Sequence, residues 1–87
     1  MKKIYNVGGI VFTGDHMAIK VDGKSYIFHL KDVSRRLLHA SAAKREIFEI
    51  SPSGYGIHWP MVDEDISISG LLRTKRALSN AIAASLN

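Results

Sequence analysis

The sequence predicts an α+β domain, with a small antiparallel sheet built from two hairpins, a middle helix and a C-terminal helix. Three observations carry this. Asp22-Gly23 separates two stretches with apolar residues at alternate positions, Met17, Ile19 and Val21 before it and Tyr26 and Phe28 after it. Ser51-Pro52-Ser53-Gly54 separates a second pair of extended stretches. From Gly70 onward Leu71, Leu78, Ile82 and Leu86 recur on one stripe within an alanine-rich segment.

The first strand is expected over about Lys3 to Phe12, with Gly8-Gly9 marking a bulge and Thr13-Gly14-Asp15 a turn. Asp-Gly tolerates the two positive φ angles of a type I′ turn, so Val21 should oppose Lys24, Ile19 Tyr26 and Met17 Phe28. Those residues form the core face. The other face then pairs Ala18 with Ile27, Lys20 with Ser25 and His16 with His29. Asp32 is the expected cap of a helix over about 33–45, with Val33, Leu37 and Ala40 on its stripe, and Ser41 can cap a second short helix after a kink. Ile47 and Phe48 begin the next extended stretch, and a type I turn at Ser51 to Gly54 leads to a return strand Tyr55 to Trp59. Pro60 ends it, having no N–H for a ladder. Ile66 and Ile68 alternate with serines in a short last strand, and Ser69 is the expected cap of the final helix, which runs to about Ser85.

With 87 residues there is room for one domain, which at this size buries roughly 60% of its unfolded surface. The apolar fraction of 46% and charged fraction of 23% are those of a globular chain, and no apolar run reaches the ~20 residues of a membrane span. Lys2 and Lys3 resemble the start of a signal peptide, but Tyr5, Asn6, Asp15 and His16 interrupt what would be its apolar region. The absence of cysteine removes disulfides, thiolate nucleophiles and thiolate metal ligands together. A cytoplasmic protein is expected.

Residues 54–72, GYGIHWPMVDEDISISGLL, join a glycine-rich strand, a Trp-Pro stop, three consecutive acids and a helix start without a spacer. This block resembles the GYGIHWP...DEDIS..GLL signature of a family of small bacterial proteins, the domain-of-unknown-function family 2442. The VDGKSYIFHL hairpin, the Ser-Arg-Arg-Leu-Leu helix and the Ala-Lys-Arg-Glu step follow the family's order too. The resemblance implies a compact α+β domain over residues 1–72, with 73–87 as a helical extension of it. It brings no recognised catalytic residues. Some relatives continue into a helix-turn-helix module that has no counterpart here, and genes for such proteins often lie beside a second small-protein gene, an arrangement similar to toxin and antitoxin pairs.

On their own chemistry, His58 with Asp63, Glu64 and Asp65 is the one acid-rich constellation, suited to a divalent cation or to general acid-base work. Adjacent side chains of an extended segment point to opposite faces, however, so the three acids cannot all converge. Acids ahead of a helix also favour its positive end, and a structural role is the stronger reading. His16 and His29 lack the further ligands a zinc site needs, and His39 stands alone at a helix end. Gly54-Tyr55-Gly56 lacks the lysine, hydroxyl and helix of a phosphate-cradling loop, so its glycines are read as admitting a close neighbour. Tyr55, Ile57 and Trp59 are expected to pack inward on one strand face.

The net charge of +4 concentrates at Arg73, Lys75 and Arg76, with Arg35-Arg36 and Lys44-Arg45 elsewhere. Basic helices track phosphates, yet these positions equally suit a solvated helix face. The expected function is a non-catalytic protein-interaction or regulatory module, with an antitoxin-like role as one form of it, that needs no cofactor and binds another small protein or itself through Leu78, Ile82 and Leu86. A nucleic-acid-binding accessory protein using its basic helices is the alternative. A small metal-dependent enzyme is the third.

Overall fold

A computed structural model describes residues 4–74 as two three-stranded antiparallel meanders joined by short helices. The α+β class holds, with the strands divided between two sheets. In the first, β1 (Val7–Thr13), β2 (His16–Val21) and β3 (Lys24–His29) follow in spatial order. Asp22 and Gly23 take φ of 53° and 83°, as a type I′ turn demands, and the register is the expected one, from Val21 opposite Lys24 to His16 opposite His29. β1 pairs Val7 with Val21 but Gly9 with Lys20, so Gly8 is the extra residue of a bulge. Met17, Ile19, Val21 and Phe28 are buried and Tyr26 packs at their margin.

The expected middle helix breaks into three single turns. A 3-10 turn spans Leu30–Asp32, and the Nδ1 of His29 accepts from Lys31 N at its start. α1 (Arg35–Leu38) is capped by Ser34, not by Asp32, because the Ser34 hydroxyl is the group placed to accept from Leu37 N. Ser41 caps α2 (Ala42–Arg45) as expected, through Lys44 N. Arg45 runs against expectation for a basic residue. It is buried, at 8% exposure, and its guanidinium donates to Leu37 O at 2.9 Å, Leu38 O at 2.9 Å and Gly14 O at 2.7 Å. Two of these are carbonyls left open at the end of α1. The arginine thereby ties the β1–β2 turn to both helices.

The second sheet comprises β4 (Glu49–Ile50), β5 (Gly56–Trp59) and β6 (Glu64–Ser67). The hairpin turn at Ser51 to Gly54 closes with Gly54 N on Ser51 O, but Ser53 has φ 68°, which a type I turn does not use at that position. Tyr55 follows in helical geometry, at φ −67° and ψ −41°, so the strand's alternation begins only at Gly56. Tyr55 is consequently 60% exposed and does not pack inward with Ile57 and Trp59. The last strand passes directly into α3 (Ile68–Arg73), whose cap is Ser67 and not Ser69. Ser67 Oγ accepts from Gly70 N, and a Cβ at position 70 would stand 2.6 Å from that oxygen, so glycine there admits the cap. The helix begins two residues earlier than expected and buries Leu71. The remainder of the expected final helix, with Leu78, Ile82 and Leu86, lies outside the described residues.

Trp59 joins the two sheets. It is fully buried, its ring meets Phe12 of β1 edge-on at 6.4 Å and Phe48 at 6.0 Å, and its indole N–H donates to Arg45 O at 3.0 Å. Truncation of so large a buried side chain costs about 3–5 kcal/mol, a large part of the stability of a domain this small.

Candidate functional site

A groove of about 650 Å³ lies on the second sheet. Its position follows from the pleat. Ile57 and Trp59 point to the core, so Gly56 and His58 face outward, and the register sets Glu49 and Asp65 on either side of His58 in one cross-strand row. Ser67, opposite Gly56, stands in the next row. Gly56 leaves the floor low; a Cβ there would approach Ile66 O to 3.1 Å. Exposed Tyr55 and Ile50 form an apolar rim with Pro52.

His58 Nδ1 lies 2.8 Å from Asp65 Oδ1, a pairing that orients the imidazole and leaves its other nitrogen as the free polar edge. Ser51 Oγ accepts from Gly56 N and Ser67 Oγ from Gly70 N, so both serine hydroxyls of the groove are engaged in holding the backbone. Glu49 makes no ion pair among the described residues. Among the described residues, no lysine or arginine lines the groove. β4 adds an open edge. Ser51 N donates to Gly56 O, which makes Ser51 and Gly56 a hydrogen-bonded pair; by antiparallel alternation Ile50 and Ile57 are a non-hydrogen-bonded pair, and the N–H and C=O of Ile50 point away from β5.

The three signature acids diverge. Asp63, at φ 53° in the turn after Pro60, offers its carbonyl to Arg36; Glu64 accepts from the Ser34 hydroxyl and from Asp65 N; Asp65 turns to His58. Glu64 and Asp65 belong to β6, and it is Ser67 that serves the start of α3, so the acids do not flank that helix as expected. Among the described residues no three His, Asp or Glu side chains converge as metal ligands. Gly54 has φ 62°, and an added Cβ would run into the carbonyl of Tyr5, whose N–H donates to Ser53 O. The glycine thus seats the N-terminal segment against the second hairpin.

The basic residues separate in the same way. Arg73 is exposed at the end of α3, Lys75 and Arg76 lie outside the described residues, Arg35 and Lys44 face solvent, and Arg45 is taken up by the core. His16 and His29 meet edge-on at 4.8 Å on the outer face of the first sheet, with the Nδ1 of His29 already committed to Lys31 N. Sequence reasoning missed Glu49 and Ile50. Counting outward from the Ser51–Gly54 turn would have paired them with Gly56 and Tyr55, two residues short of the observed register, because Tyr55 still belongs to the turn.

The fold and groove define a small α+β domain of two packed meanders that carries an acidic, apolar-rimmed concavity beside an unpaired strand edge. The chain belongs to the family described as "Protein of unknown function (DUF2442)", whose match covers residues 7–77. No curated protein and no solved structure matches it. No helix among the described residues is long and apolar enough to cross a membrane.

Proposed function

We propose that the protein is a non-catalytic interaction module, and that its partner docks on the groove and open edge of the second sheet. One observation carries the reading: the groove has an apolar rim, while its serine hydroxyls and one nitrogen of its imidazole are held in bonds within the chain instead of converging on a reacting atom. A His–Asp pair alone has no nucleophile to activate. The role that suits such a module is regulatory, a small protein acting by occupying another, and an antitoxin-like pairing is one form of it. Leu71, the first residue of the last helix's apolar stripe, packs in the core, while Leu78, Ile82 and Leu86, the expected seat of binding, lie outside the described residues.

The test places a photo-crosslinking amino acid at Tyr55, on the groove rim, or at Val11, equally exposed at 60% on the other sheet, in cells producing the protein. A single defined adduct from position 55 and none from position 11 is expected. Adducts from position 11 alone, or from neither, would overturn the proposal.

A further inference from the structure

We infer that the groove's partner is an extended, lysine- or arginine-bearing peptide segment that adds to β4 as a further strand. This rests on the docking surface proposed above and names its ligand class. The backbone argument comes first. The outward N–H and C=O of Ile50 are the donor and acceptor that an incoming strand uses, and nothing among the described residues pairs with them. Side chains of such a strand alternate in direction, so every second one falls on the outer face, where Glu49, His58 and Asp65 form their row.

Charge selects the segment. The chain as a whole carries +4, yet among the described residues the groove is lined by Glu49 and Asp65 and by no lysine or arginine. Glu49 has no ion-pair partner among the described residues, and the Asp65 side chain is 75% exposed despite its bond to His58. A basic side chain on the added strand stands one strand spacing from Glu49, with Asp65 two strands further along the same row, whereas an acidic one is repelled. The apolar rim of Ile50, Pro52 and Tyr55 favours aliphatic residues at the neighbouring positions. A second copy of the chain fits less well. Two β4 strands paired across a two-fold axis bring their Glu49–Asp65 rows side by side, like charge against like.

Fluorescence anisotropy with a short labelled peptide alternating lysine and valine tests the inference, alongside a glutamate–valine peptide and a lysine–valine peptide N-methylated at every second residue. The lysine–valine peptide should bind saturably and the glutamate–valine peptide should not. Ile50→Pro removes the outward N–H without removing a bond to β5 and should weaken binding by about tenfold. The N-methylated peptide should bind about as poorly, which keeps the test intact if the proline variant misfolds. Glu49→Gln should flatten the salt dependence.

Equal affinity for the N-methylated peptide, or for the Ile50→Pro variant, would overturn strand addition while leaving the groove as a docking site. Equal affinity for the lysine and glutamate peptides would overturn the charge selection. Absence of binding by every peptide, with the position-55 adduct still formed, would overturn the extended-segment reading and leave the interaction module standing. Self-association in sedimentation, lost in Ile50→Pro, would assign the edge to a second copy instead.

Discussion

Replacing Arg45 with methionine separates a structural arginine from a phosphate-binding one. Methionine keeps an unbranched apolar stem beside the Phe12 ring, which the guanidinium carbon approaches to 5.8 Å from the centroid, and deletes every donor. Leu37 O retains a second donor in Ala40 N, but for Gly14 O and Leu38 O the structure supplies Arg45. Leaving a fully buried acceptor without a partner costs about 1–3 kcal/mol, but these two bonds are only part-buried, so water recovers some of that cost and relief of the guanidinium's own burial offsets more; the net loss should be about 2 kcal/mol. The Asp15 contact at 3.6 Å adds little, because that carboxylate is 59% exposed. For a domain of this length the loss lowers the melting temperature by about 8–16 °C. Thermal and urea unfolding followed by circular dichroism measure it. Arg45→Lys should fall between, since one ammonium cannot reach three separated carbonyls. A change within about 0.5 kcal/mol, typical of a solvated surface position, would refute the reasoning and return Arg45 to the pool of candidate phosphate contacts.

Two glycines with similar backbone angles should respond unequally. Gly14→Ala, at φ 58° with open space around it, should cost only the positive-φ penalty of about 1 kcal/mol, whereas Gly54→Ala must also push Tyr5 off Ser53; urea midpoints and hydrogen exchange at the Tyr5 amide distinguish them, and equal losses would count against the seating role of Gly54. Replacing Arg73, Lys75 and Arg76 together with glutamine should leave the position-55 crosslink unchanged. Sequence-specific nucleic-acid binding at physiological salt, abolished by that triple substitution, would instead establish the basic residues as the functional surface.

Much of the first sheet was legible because its determinants are local. Asp22-Gly23 sets a register for six residue pairs, and Gly8-Gly9 marks the bulge. Helix starts were less so, and for one reason: each expected cap, Asp32 and Ser69, has a serine two positions away that competes for the same role. Ser34 and Ser67 prevailed because their extended backbone angles aim the hydroxyl at an open amide. Tyr55 misled through alternation that stops one residue short of it. Arg45 was illegible in principle, since a sequence records the charge but not the three carbonyls that gather around it. The groove was illegible for the same cause, being made by the pairing of residues 49, 58 and 65 across three strands.

Trp59 is the only tryptophan in the chain and stands where the two sheets meet. Its emission is therefore an internal gauge of that junction that requires no added label. Separation of the sheets exposes the indole to water and frees its N–H from Arg45 O, whereas a strand added at the free edge of β4 has β4 between it and β5 and leaves the ring's surroundings in place. One fluorescence signal can thus distinguish a ligand that merely docks from a condition that pries the two halves apart.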